Sequence, residues 1–163
     1  MKKLTQEELI AKINKLKVEG QVDLSLEEDL SIAVMNLIGL EEHFFFTAQK
    51  TGKDEYLDLL NQTRQMRKEL LGRMINKNEG ETWCICKHLL ATTMRLMEVG
   101  TKLLSDKKDS EAQDMFKKAY EIYLMFWGLR LKLIDLPDLK TTDADEAMTQ
   151  DEVLSRLLDC CKE

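Results

Sequence analysis

The sequence predicts an all-α fold: an up-down-up-down antiparallel four-helix bundle, with a short helix before it and another after it. Three observations predict it. Pro137 is the single proline in 163 residues, and the few glycines mostly fall between apolar stretches. Those stretches define four segments of about 23–25 residues with helical spacing, each near 35 Å long at about 1.5 Å per residue. The connections between them are too short to cross a bundle, so neighbours must run antiparallel.

The leading helix opens on Thr5-Gln6-Glu7-Glu8, a capping box with Leu4 and Leu9 as its hydrophobic staple. Leu9, Ile10, Ile13 and Leu16 then recur at helical spacing until Gly20. Ser25-Leu26-Glu27-Glu28 reads as a second capping box, opening the first long helix over about 26–50, which Thr51-Gly52 stops. The next helix is expected over about 54–76 and the third over about 83–105. Ser110-Glu111-Ala112-Gln113 caps the fourth, over about 111–134, which ends before Pro137. The reading divides the chain into a bundle at 1–136, an acidic linker at 137–148 and an amphipathic tail helix at 149–163. Thr149-Gln150-Asp151-Glu152 caps that tail, and Val153, Leu154, Leu157, Leu158 and Cys161 form its apolar face. It either docks back on the bundle or is offered to a partner.

Composition narrows the function. Apolar residues make up 44% and charged residues 33%, an ordinary balance for a soluble globular domain. The net charge is −6 and no face concentrates Lys and Arg, which argues against nucleic acid as a partner. No stretch approaches the roughly 20 apolar residues of a membrane span. The first residues turn acidic where a signal peptide would turn apolar, so a cytoplasmic setting is expected. Cys84, Cys86, Cys160 and Cys161 fit reduced thiols better than a disulfide framework.

From Leu96 to Ala119 the spacing of Leu96, Gly100, Ala112, Phe116 and Ala119 resembles one tetratricopeptide repeat, within a hairpin of about 93–126. Small residues let two antiparallel helices approach, and the aromatic fills the remaining gap. No second copy lies one period away. The resemblance implies peptide or protein binding; a tight αα-hairpin reached independently accounts for the same residues.

Chemistry has little to work with. Trp83-Cys84-Ile85-Cys86-Lys87-His88 is not the Cys-x-x-Cys-His of covalent haem attachment. On a helix Cys84 and Cys86 point about 200° apart. Cys86 falls on the apolar face, while Cys84 and His88 sit together among Lys87, Arg95 and Lys102, as half of a metal site at most. Leu40 and Ile85 stand where a di-iron bundle would carry glutamates before His43 and His88. There is no phosphate-binding glycine loop and no His-Glu-x-x-His or Gly-x-Ser-x-Gly. No cofactor is expected, and the balance leans away from an enzyme.

What remains are ionisable and hydroxyl residues that interrupt apolar arcs. On a 100° wheel Glu41 falls inside the arc of the first long helix, with Leu30, Ala33, Val34, Leu37, Ile38, Leu40, Phe44 and Phe45, while Asn36, Glu42 and His43 fall outside. Thr63 and Arg67 fall inside the arc of the second, with Tyr56, Leu59, Leu60, Met66, Leu70 and Met74. Arg130 falls inside that of the fourth. Helical side chains lean toward their own N-terminus, so Glu41 and Arg67 lean toward each other, with Thr93, Tyr123 and Arg130 completing a central polar layer. The simplest role is a Glu41–Arg67 salt bridge that fixes register; an arginine snorkelling to the bundle edge is a second. A third sets two arginines against one carboxylate, the spare charge holding a small anion or a ligand carboxylate. Two functions follow: a non-enzymatic protein-interaction or self-association module, with an apolar strip of Tyr120, Leu124, Trp127 and Leu131, or a small-anion or carboxylate-binding bundle built on Glu41, Arg67 and Arg130.

Overall fold

The computed structural model describes residues 6–18, 23–76 and 81–134. Among them are five helices and no strand: α1 (Gln6–Val18), α2 (Leu24–Thr51), α3 (Glu55–Met74), α4 (Glu81–Ser105) and α5 (Asp109–Arg130). The all-α class and the expected number of long helices are both observed. The Thr5 capping box, the linker at 137–148 and the tail helix at 149–163 lie outside the described residues.

Helix boundaries shift where local hydrogen bonding overrides the sequence signal. α2 begins two residues early because Asp23, not Ser25, is its cap: its carboxylate accepts from the Ser25 and Leu26 backbone N–H groups at 3.1 and 3.2 Å. Its end is as read, with Gly52 in the left-handed region at φ 65° and its N–H on the Ala48 carbonyl. Ser110 does not cap α5; the helix starts at Asp109 behind Lys108, without a side-chain cap bond. α5 also stops at Arg130, before the expected 134. Lys132 turns to φ 53° there, and the Leu133 and Ile134 N–H groups both reach back to the Gly128 carbonyl.

Packing is closest within two hairpins, α2 with α3 and α4 with α5; α2 and α4 then join the hairpins along part of their lengths. Gly100 makes the close approach of α4 and α5 possible. A Cβ there would fall 2.5 Å from Phe116 Cε1, so any side chain would force the ring aside. Ala112 and Ala119 are buried on the same seam.

The apolar core is concentrated at one end. Val34 and Met35, Leu71, Met74 and Ile75, Trp83, Cys86 and Leu90, and Phe126 and Leu129 form one buried cluster. This closed end therefore gathers the first half of α2, the last turns of α3, the first turns of α4 and the last turns of α5. The opposite, open end holds the last turns of α2 and α4 and the first turns of α3 and α5. There Phe45, Phe46, Leu57, Leu59, Met97 and Leu104 are exposed. Leu40, Phe45, Leu59 and Met66 are expected core residues that the structure leaves substantially in solvent. Their helices turn apolar arcs inward, but no described neighbour is close enough to cover the arcs over their whole length.

Candidate functional site

The inward arcs bring Glu41 and Arg67 together as read. Arg67 Nε donates to Glu41 Oε1 at 2.7 Å and Nη2 to Oε2 at 3.3 Å, a two-point grip between α2 and α3. Arg67 is 1% exposed, the largest fully buried side chain among the described residues, and Glu41 is half-buried. A guanidinium this deep requires its carboxylate, since an isolated buried charge is costly.

Arg130 departs from the expected layer. Its Nε donates to Glu27 Oε2 at 2.8 Å and its Nη2 to Glu27 Oε1 at 2.5 Å. Glu27 is itself buried in the first turn of α2. Fourteen residues separate Glu27 from Glu41, about 21 Å along the helix axis. The two arginines thus serve two separate ion pairs, one tying α2 to α3 and one tying α2 to α5, and each has a carboxylate of its own. The surplus charge that motivated an anion site is not assembled.

The hydroxyls are likewise dispersed. Thr93 is buried and its Oγ1 donates to the Leu89 carbonyl one turn back, within its own helix. Thr63 is buried one turn from Arg67 on α3. Tyr123 sits beside Ser31, with the two oxygens 2.7 Å apart. The Ser31 hydroxyl already donates to the Glu28 carbonyl, so the Tyr123 hydroxyl is the donor of that pair. Ser31 and Glu27 were missed by the sequence reading. Both lie on the wheel arc that holds Val34, Ile38 and Glu41, close to the start of the helix. Among the described residues no buried side-chain nitrogen or oxygen lacks a hydrogen-bond partner. The polar interior is internally satisfied.

The half-site pairing of Cys84 with His88 is broken by burial. Cys84 is buried while His88 is exposed. Cys84 and Cys86 are both buried although they point to opposite sides of α4, so both flanks are covered at that level of the helix. No group of three or more His, Cys, Asp or Glu side chains is placed to hold a metal among the described residues.

Two adjoining clefts of about 260 and 410 Å³ lie between α2 and α4. They share Gly39, Glu42, Met94 and Arg95, with Met35 and Ile38 in one and Phe46 in the other. Arg95 bridges Glu42 of α2 and Glu98 of its own helix, closing the polar rim. The result is a shallow apolar groove with charged edges, a shape that accepts an apolar side chain but offers no convergent set of polar groups for catalysis. On α5, Tyr120, Leu124 and Met125 are exposed, and Trp127 and Leu131 are half-buried. No helix among the described residues is long and apolar enough to cross a membrane. Comparison of the chain with protein-family models, with curated proteins and with solved structures finds no match.

Proposed function

We propose that the chain is a non-enzymatic protein-interaction module that self-associates through the outer face of α5. The observation that carries this reading is the strip itself. Tyr120 is 62% and Leu124 49% exposed, and Trp127 and Leu131 continue the same line at helical spacing. The strip is complementary to itself: an antiparallel α5–α5 contact about a two-fold axis near Met125 sets Tyr120 against Leu131 of the second copy, and Leu124 against its Trp127. A tetratricopeptide-like hairpin in residues 93–126 agrees with a binding role, and Gly100, Ala112 and Ala119 are buried within it. The up-down-up-down order belongs to the same reading. It is supported by the partners of α2: Glu27 with Arg130 and Ser31 with Tyr123 on an oppositely directed α5, and Glu42 with Arg95 on a codirected α4. The setting in this reading is cytoplasmic, with neither nucleic acid nor membrane as partner and no cofactor.

Light scattering and sedimentation on the full chain test it. The wild type is expected to be dimeric at tens of micromolar. Tyr120→Lys with Leu124→Lys is expected to be monomeric and to melt where the wild type melts once diluted to monomer, because both side chains sit in solvent in the folded monomer. A wild type that stays monomeric across that range removes the reading.

A further inference from the structure

We propose that the α2/α4 groove receives an amphipathic helix of a partner protein, one whose apolar stripe is bordered by Lys or Arg on the side facing α2. The groove is apolar and adaptable. Met35, Ile38 and Gly39 of α2 line it with Ala91 and Met94 of α4, and Phe46 stands at its upper end, half in solvent. Methionine packs against side chains of many shapes. From Met35 to Phe46 the α2 wall runs about 16 Å, three turns of a helix. A Cβ at Gly39 would meet nothing within 4 Å, so the middle of that wall is space that a partner side chain can enter.

Backbone chemistry selects a helix as the occupant. Both walls are helices, with their N–H and C=O groups bonded within their own turns. The groove therefore offers no ladder to an extended strand, whose backbone groups would go unpaired against apolar walls. A helix arrives with those groups already satisfied, and its projecting side chains suit an open, shallow trough.

Charge decides what borders the stripe. Between Leu24 and Gln49, α2 carries acidic residues but neither Lys nor Arg. Glu27 and Glu41 turn inward to Arg130 and Arg67. Glu28, Asp29 and Glu42 are exposed, and Glu28 lies within about 20° of Gly39 on the same edge of the helix. Glu42 and Glu98 each give one oxygen, Oε2, to Arg95, so at the rim two carboxylates share one guanidinium. A Lys or Arg border answers that acidic edge, and a Glu or Asp border is repelled by it.

Fluorescence anisotropy on the full chain tests this with two fluorescein-labelled synthetic helices of about five turns, identical in their leucine stripe and bordered by Lys in one and by Glu in the other. The Lys-bordered helix is expected to bind at micromolar concentrations and the Glu-bordered helix at least about tenfold more weakly. Gly39→Leu fills the groove from a position where a Cβ meets no neighbour, and is expected to weaken the Lys-bordered helix at least about tenfold. Glu28→Lys with Glu42→Lys is expected to reverse the preference between the two helices. Tyr120→Lys with Leu124→Lys is expected to leave both affinities unchanged, so failure here and failure of self-association through α5 are distinguishable. Equal binding to wild type and Gly39→Leu overturns the proposal, as does binding that ignores the sign of the border, or no binding of the Lys-bordered helix at up to about a millimolar. A wild-type affinity that falls as the protein concentration rises overturns it by seating a second copy in the groove. A Gly39→Leu chain destabilised with no helix present overturns it by placing another segment of the same chain there.

Discussion

The closed and open ends of this molecule are built from the same helices and the same kind of amphipathic pattern, yet only one of them is a core. At the closed end Phe126 is fully buried, with Tyr123 stacked on it at 6.1 Å and Trp127 edge-on at 5.4 Å. At the open end Phe46 is 49% exposed, with Phe45 edge-on to it at 5.3 Å. An apolar stripe states which way a helix turns. It does not state how far along its length another helix will follow. That extent depends on crossing angles and on which pairs approach closely, both set by contacts distant in sequence.

The sharpest way to break the comparison is to truncate one ring at each end. Phe126→Ala is expected to cost about 3–5 kcal/mol, because it removes a buried aromatic and leaves a cavity among Val34, Leu90 and their neighbours. Phe46→Ala is expected to change stability by less than about 0.5 kcal/mol. Urea unfolding of both variants measures the contrast. Equal losses would show that the open end is as well packed in solution as the closed one.

The same contrast explains how much could be read in advance. Helix identity followed from punctuation, and Gly52 and the Gly100–Phe116 seam were legible because they rest on local backbone geometry and small side chains. The Glu41–Arg67 pair was legible because two interruptions of adjacent arcs lean toward each other across a short hairpin. The Glu27–Arg130 pair was not. It joins residues 103 apart in sequence, a separation that no local pattern reports. Cys84 was placed on the polar face by its angle alone, but burial on α4 is set by everything that surrounds the helix end. The α2/α4 groove has no sequence signature, since Gly39 and Arg95 gain meaning only once those helices lie side by side.

The two ion pairs sharpen the comparison at intermediate size. Arg67 lies at the boundary where the core gives way to the open end, and its side chain is 2% exposed against 16% for Arg130. Arg67→Ala strands a half-buried carboxylate beside a new cavity and is expected to cost about 3 kcal/mol or more. Arg130→Ala is expected to cost about 1.5–3 kcal/mol: Arg130 is the more exposed of the two arginines, so its removal opens a path for water to the buried Glu27 carboxylate. Arg67→Met, which fills the space but leaves Glu41 unpaired, should fall between wild type and Arg67→Ala. A larger loss for Arg130→Ala would mean that the α2–α5 tie, rather than the α2–α3 tie, holds the molecule together.

Two glycines in mid-helix carry effects of opposite sign. Gly100 sits on a closed seam, where a methyl group meets the Phe116 ring at 2.5 Å, so Gly100→Ala is expected to destabilise by about 1–3 kcal/mol as the ring is displaced. A methyl group at Gly39 meets nothing within 4 Å, because it projects toward the α2/α4 groove. There the backbone preference decides alone, and Gly39→Ala is expected to stabilise by about 0.5–1 kcal/mol. Thermal and urea unfolding of the two variants read both signs. A destabilising Gly39→Ala would mean that the groove is filled in solution, by a partner copy or by another part of the chain, and that the space beside α2 is a binding site already in use.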